Sequence, residues 1–133
     1  MKKVFLVSVL TLLMVGGVCQ KMEGQTRYYV VSANLKKTGE LTRPIVTTVM
    51  PVSCNFSRLQ ESDIKNQFMA FFRENYQRQT GFELRYDDIR VQNFDSENRA
   101  ASQRSEWITE YNRNNRLYSS PQTTDRFRIR CED

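Results

Sequence analysis

Asp125-Arg126-Phe127-Arg128-Ile129-Arg130-Cys131, close to the end of a 133-residue chain, alternates without a slip. Phe127, Ile129 and Cys131 fall in one phase, and Arg126, Arg128 and Arg130 in the other. Alternation with period two puts successive side chains on opposite sides of an extended backbone, so the stretch predicts a closing strand with one buried and one wet face. Three demands on the rest of the chain follow. An apolar layer must receive Phe127 and Ile129, Cys131 needs a partner, and three arginines on one face need a role.

The cysteine demand is met by the start of the chain. Lys2 and Lys3 precede an almost unbroken apolar run over residues 4–15, then the small residues of Gly16-Gly17-Val18-Cys19, then the polar Gln20-Lys21. That is the layout of a secretory signal peptide, and the apolar run is too short for a membrane span, which needs roughly 20 residues. Two fates for residues 1–19 stay open. Cleavage after Cys19 leaves Gly17 and Cys19 at the small-residue positions before the cut. Alternatively, residues 13–19 resemble a bacterial lipoprotein signal with Cys19 as the lipidated first residue, although Val18 stands where that motif has Gly, Ala or Ser. In both cases Cys54 and Cys131 remain as a pair. An oxidising compartment turns such a pair into a disulfide, the alternative being two buried thiols. The expected location is the periplasm, cell envelope or exterior, with membrane contact only through a lipid on Cys19.

Loss of residues 1–19 removes two lysines, so the formal charge of +5 falls to +3. The balance is mildly basic, but it is carried by 14 arginines against 6 lysines. Arginine is the better residue for planar, bidentate contacts with carboxylate or phosphate, so its placement matters more than the net charge.

The apolar demand is met upstream. Residues 20–26 are polar and read as a tether, and residues 27–133 as a single domain. Tyr28-Tyr29-Val30-Val31-Ser32-Ala33-Asn34-Leu35 and Ile45-Val46-Thr47-Thr48-Val49-Met50 are β-rich runs joined by a Gly39 turn, which reads as an antiparallel hairpin. Pro44 and Pro51 border the second run and suit an edge. The opening Tyr28-Tyr29-Val30-Val31 resembles that of small peptidoglycan-binding sporulation-related repeats, whose element order differs because here a second strand precedes the first helix.

Between residues 62 and 81 the period becomes helical. Ile64, Phe68, Phe71, Phe72 and Tyr76 share one face, Ser57 or Ser62 is the expected cap, Glu74 and Arg78 are spaced for an ion pair, and Gly81 is a stop. Residues 82–94 look extended but change phase at Asp87-Asp88, where a bulge or tight turn is expected. Asp95 or Ser96 then caps a second helix over residues 97–114. Its apolar face is Ala100, Ala101, Trp107, Ile108 and Tyr111, with Arg104 on that face, either snorkelling outward or held by a carboxylate. Residues 119–124 read as loop. The expected architecture is an α+β two-layer sandwich in the order β-β-α-β-α-β, a mainly antiparallel four-stranded sheet with both helices on one face.

The chain has no histidine, which removes the commonest general base and metal ligand at neutral pH. Paired cysteines are neither nucleophiles nor thiolate ligands, no glycine-rich phosphate loop is present, and no cofactor or metal site is expected. Glu83, Asp87, Asp88 and Asp95 are the one enzymatic constellation, because two carboxylates run glycosidic acid/base chemistry. Aspartates at a turn before a helix also serve as caps and turn formers. A carboxylate-dependent hydrolase and an inhibitor or immunity-type protein partner are therefore the alternatives to a binding module.

The arginines point to binding. Arg126, Arg128 and Arg130 share a strand face, and Arg90 and Gln92, with Tyr28, join it if the third strand is a neighbour. Such a surface suits an acidic glycan or an acidic protein patch; nucleic acid is not an expected partner of an exported protein. A plainly solvated face is the competing explanation. Asn55-Phe56-Ser57 has the form of a glycosylation sequon and is taken as chance.

Overall fold

The structure, a computed structural model, describes residues 25–54, 59–76 and 81–131. The segment 1–19 with Cys19, most of the tether, Ser57, Arg78 and the Asn55 sequon lie outside the described residues.

The fold is built on β1 (Arg27–Leu35), nine residues whose apolar side chains occupy both phases. Tyr29, Val31, Ala33 and Leu35 enter one buried cluster, with Ile64, Phe68 and Phe72 of α1 (Glu61–Asn75). Val30 enters a second, with Ala100, Trp107 and Tyr111 of α2 (Glu97–Arg113), and Tyr28 packs against it. The helices therefore cover opposite faces of the sheet. The expected two-layer sandwich with both helices on one face is corrected to three layers. The cause is visible in β1, since a strand apolar in both phases is one buried on both sides.

Three strands pair with β1. β4 (Ile89–Phe94) runs antiparallel along one edge from Tyr28 to Ala33. β2 (Arg43–Thr47) and β3 (Met50–Val52) share the other edge, also antiparallel. Between Ser32↔Val46 and Tyr29↔Met50, β1 advances three residues and its partner four, so a one-residue bulge separates β2 from β3. Three hydrogen bonds hold the bulge: Val31 N–H donates to Thr47 Oγ1 at 3.0 Å, Thr48 N–H to the Thr124 carbonyl at 3.0 Å, and Arg104 Nε to the Thr47 carbonyl at 2.9 Å. Arg104 thus neither snorkels nor meets a carboxylate; it caps a backbone oxygen freed by the bulge.

β5 (Gln122–Thr124) pairs parallel with β2. The sheet is mixed and five-stranded, not four-stranded and antiparallel. β5 lies where a loop was expected, and residues 125–131, expected as the closing strand, lie off the sheet. Thr124 Oγ1 accepts from Arg126 N–H at 3.3 Å, a local turn that leads the chain away from the ladder.

Of the other local expectations, the cap of α2 and the turn before β4 hold, and the cap of α1 differs. Ser96 caps α2, its hydroxyl accepting from Arg99 N–H. At α1 the cap is Gln60, whose N–H donates to Asp63 Oδ2 at 2.9 Å, and Ser62, expected as a cap, lies within the helix. The phase change before β4 is a 3-10 turn, Tyr86–Asp88. From Ala33↔Ile89 to the bridge Lys36↔Glu83, β1 advances three residues while its partner retreats six, so the turn is the three-residue excess. Among the described residues no helix is long and apolar enough to cross a membrane.

Candidate functional site

Residues 125–131 form a strap across α1. At Phe127 and Ile129 the alternation survives without a sheet, because what it records is a buried and a wet side, and here α1 supplies the buried one; Cys131, expected in the buried phase, is exposed. Phe127 is 3 % exposed and fits between Phe68 and Phe71, with ring centroids 4.9 and 5.4 Å away. Ile129 packs against the same cluster. Further along, the Gln67 side chain replaces a neighbouring strand: its Nε2 donates to the Arg130 carbonyl at 2.9 Å, and its Oε1 accepts from Arg130 N–H at 2.8 Å. A primary amide has the donor and acceptor of a peptide group, so it closes the same two-bond pair. Cys131 then joins Cys54, which lies just past β3, with Cα atoms 5.5 Å apart.

The balance of forces shows what holds the strap. Burial of Phe127 contributes roughly 1.5–3 kcal/mol, and each Gln67 hydrogen bond about 1 kcal/mol. Ordering one residue's backbone costs about 1–2 kcal/mol, over the seven residues of the strap. The contacts alone leave it marginal. The disulfide, closing a separation of 77 residues, is what fixes it, with a stabilisation of the whole fold of roughly 4 kcal/mol in the chain-entropy description.

Arg126, Arg128 and Arg130 are exposed. None forms an ion pair among the described residues, and the one side-chain hydrogen bond in the group is Arg128 Nη1 to the adjacent Phe127 carbonyl at 3.1 Å. Arg128 and Arg130 line a cavity of about 240 Å³ together with Gln67, Phe71 and Glu74. Two arginines from a segment whose backbone is pinned at both ends thus share one cavity with a carboxylate, an amide and an aromatic residue of α1.

Arg90 is not part of this group. It stands on the α2 side of the sheet, its guanidinium 4.5 Å from the Trp107 ring centroid and 5.5 Å from that of Tyr111. Nη2 donates to Tyr111 Oη at 2.8 Å, and Tyr111 Oη shares a 2.5 Å hydrogen bond with Ser32 Oγ. Glu110 completes the surroundings at 3.8 Å from Nη1. The expected grouping of Arg90 with Arg126, Arg128 and Arg130 is corrected for the same reason as the layers: with a helix on each face, the even positions of β4 look at α2 while the strap lies over α1. Tyr28, expected to join them, is half-buried on the α2 side.

The carboxylates disperse into local tasks. Asp88 pairs with Lys36 at 3.4 Å and Asp95 with Arg99 at 3.1 Å, while the backbone of Glu83 bridges that of Lys36. Among the described residues, no three acidic or cysteine side chains come together as a metal site.

The site residue that sequence reasoning missed is Gln67. Its signal was available, since it stands three residues after Ile64 and four before Phe71, a position where the helical period expects an apolar side chain. No family model, curated protein or solved structure matches this chain.

Proposed function

We propose that this protein is a small exported binding module that engages an acidic glycan through Arg126, Arg128 and Arg130 and catalyses no reaction on it. The observation that carries the reading is the strap itself: three exposed arginines at every second residue, without ion pairs among the described residues, on a backbone fixed by Phe127, Gln67 and Cys131. Preorganised arginines lose less entropy on binding than arginines on a mobile tail. The cavity favours a sugar acid over an acidic protein patch. Arg128 and Arg130 suit a carboxylate, Glu74 suits hydroxyl groups, and the Phe71 ring suits an apolar sugar edge, a combination that a sugar acid presents within one small cavity. The disulfide is compatible with the oxidising location that the signal-like start implies.

The test is charge reversal of all three arginines to glutamate, with binding to a heparin oligosaccharide measured by calorimetry. Affinity falls by about tenfold or more, and melting shifts by less than about 3 °C. Binding by the wild type also weakens steeply between about 50 and 200 mM salt. A collapse of the melting temperature instead assigns the arginines to the fold.

A further inference from the structure

We propose that the arginine site is redox-gated: reduction of Cys54–Cys131 releases the strap as a local unit and dissolves the site, while the sheet and both helices stay folded. The inference rests on reading the strap as the anion site, and its structural half stands without it. Among the described residues the strap makes no ladder hydrogen bond, and beyond the turn at Thr124 its bonds to other segments are those of Gln67. The pairing of the five strands and the apolar cluster under α2 contain no strap residue, and under α1 the strap adds Phe127 and Ile129 to a cluster that the sheet and helix otherwise supply. Among the described residues its attachment is two apolar side chains, Phe127 and Ile129, one glutamine and one covalent bond, and the covalent bond is the part that chemistry can remove.

The disulfide is also presented for exchange. Cys131 is exposed and Cys54 is buried, so an incoming thiolate reaches the Cys131 sulfur first. A dithiol reductant attacks Cys131 Sγ, the S–S bond breaks, and Cys54 leaves as a thiolate that takes up a proton. The second thiol of the reductant attacks the mixed disulfide, Cys131 leaves as its thiol, and the reductant departs as a cyclic disulfide. Two electrons and two protons pass from the dithiol to the protein. Phe127 then has no tether to return it to Phe68 and Phe71, and the arginines lose their fixed spacing.

The experiment uses the full chain, oxidised, treated with dithiothreitol, and as the C54S/C131S double variant. Limited trypsin digestion and intact mass report strap release, far-ultraviolet circular dichroism reports the fold, and calorimetry with a heparin oligosaccharide reports the site. The expected result for the reduced protein and the double variant is first cleavage after Arg126, Arg128 and Arg130, an unchanged dichroism spectrum with a cooperative melt, and binding weakened about tenfold or more. Unaltered resistance of the strap to trypsin overturns the inference, as does loss of the dichroism spectrum on reduction. Unaltered binding by a strap that trypsin clips overturns the gating. Absence of binding in the oxidised protein instead overturns the glycan reading, and the digestion still decides whether the strap is released.

Discussion

The two faces of the sheet solve the same burial problem with different chemistry. Under α1 the filling is aromatic and aliphatic: Phe68, Phe71, Phe72, Phe82 and Phe127 cluster with Tyr29, Val31 and Leu35, and Phe127 sets its ring edge-on to that of Phe68. Under α2 the apolar set is smaller, and polar groups complete it. Ser32, Tyr111 and Arg90 form a bonded chain, and Arg104 caps the bulge beside it. The difference teaches how to read arginines in this chain. On the α2 side they are structural, their guanidinium groups spent on rings, a tyrosine hydroxyl and a backbone oxygen. On the α1 side the apolar core is complete without them, so the arginines of the strap are left facing solvent. Identical residue types, a few positions apart in the pattern, differ because one face needed them and the other did not.

The largest expected effect breaks the apolar side. Phe68 is fully buried and contacts both Phe71 and Phe127, so Phe68→Ala removes a central ring and leaves a cavity. It is expected to cost about 3–5 kcal/mol, the range for burying and then deleting such a side chain. Chemical denaturation gives the number, and a loss below about 1 kcal/mol would mean that the aromatic cluster is not the core described. The strap should loosen in the same variant, seen as faster trypsin cleavage after Arg126 in the oxidised protein.

Much of this side was legible beforehand. The stripe Ile64, Phe68, Phe72 announces a buried helical face, and the pairing of Cys54 with Cys131 follows from what remains once Cys19 is set aside. Two things were not legible. Period-two alternation in residues 125–131 marks Phe127 and Ile129 as packed, and a helix surface satisfies that as well as a sheet does; only a partner's hydrogen bonds distinguish the two, and Gln67 supplies them. The side on which each helix packs was also hidden, because α2 carries a thin apolar stripe and its polar contacts, Tyr111 to Ser32 and Arg104 to Thr47, depend on positions far apart in the chain. β1 held the clue in Tyr29-Val30-Val31, apolar in both phases.

The polar side breaks at Tyr111 and at the bulge, with smaller effects. Tyr111→Phe keeps the ring but removes the hydroxyl that bonds both Ser32 and Arg90, leaving a buried serine short of its partner. A loss of about 1–3 kcal/mol is expected. A double-mutant cycle with Ser32→Ala checks it: the second substitution should restore part of the loss, because two apolar groups tolerate each other where one orphaned hydroxyl does not. Thr47→Val is the matching test at the bulge. It replaces the hydroxyl that accepts from Val31 N–H with a methyl of similar size, so any loss, about 1–2 kcal/mol, reports the unsatisfied amide and not the packing. Hydrogen exchange at Val31 should accelerate in that variant and stay unchanged in Arg104→Met.

The smallest effect sharpens the comparison through pH. Tyr29 lies in the apolar cluster under α1, and its hydroxyl titrates above the ordinary tyrosine value because burial disfavours the phenolate; the nearby Arg27 opposes the shift without cancelling it. A raised folded value means that this tyrosine contributes stability in full below the unfolded value near 10 and loses it as pH climbs from there towards the folded one. Tyr29→Phe has no such proton to lose. Denaturant unfolding at pH 8 and at successive steps above 10 should therefore give a difference between wild type and variant that is flat at first and then grows, with a limiting slope of about 1.4 kcal/mol per pH unit for a single proton. Other tyrosines and lysines titrate in both proteins and cancel in the difference. A difference that stays flat through the alkaline range would place the Tyr29 hydroxyl in water, and with it the end of the apolar face where β1 meets β3.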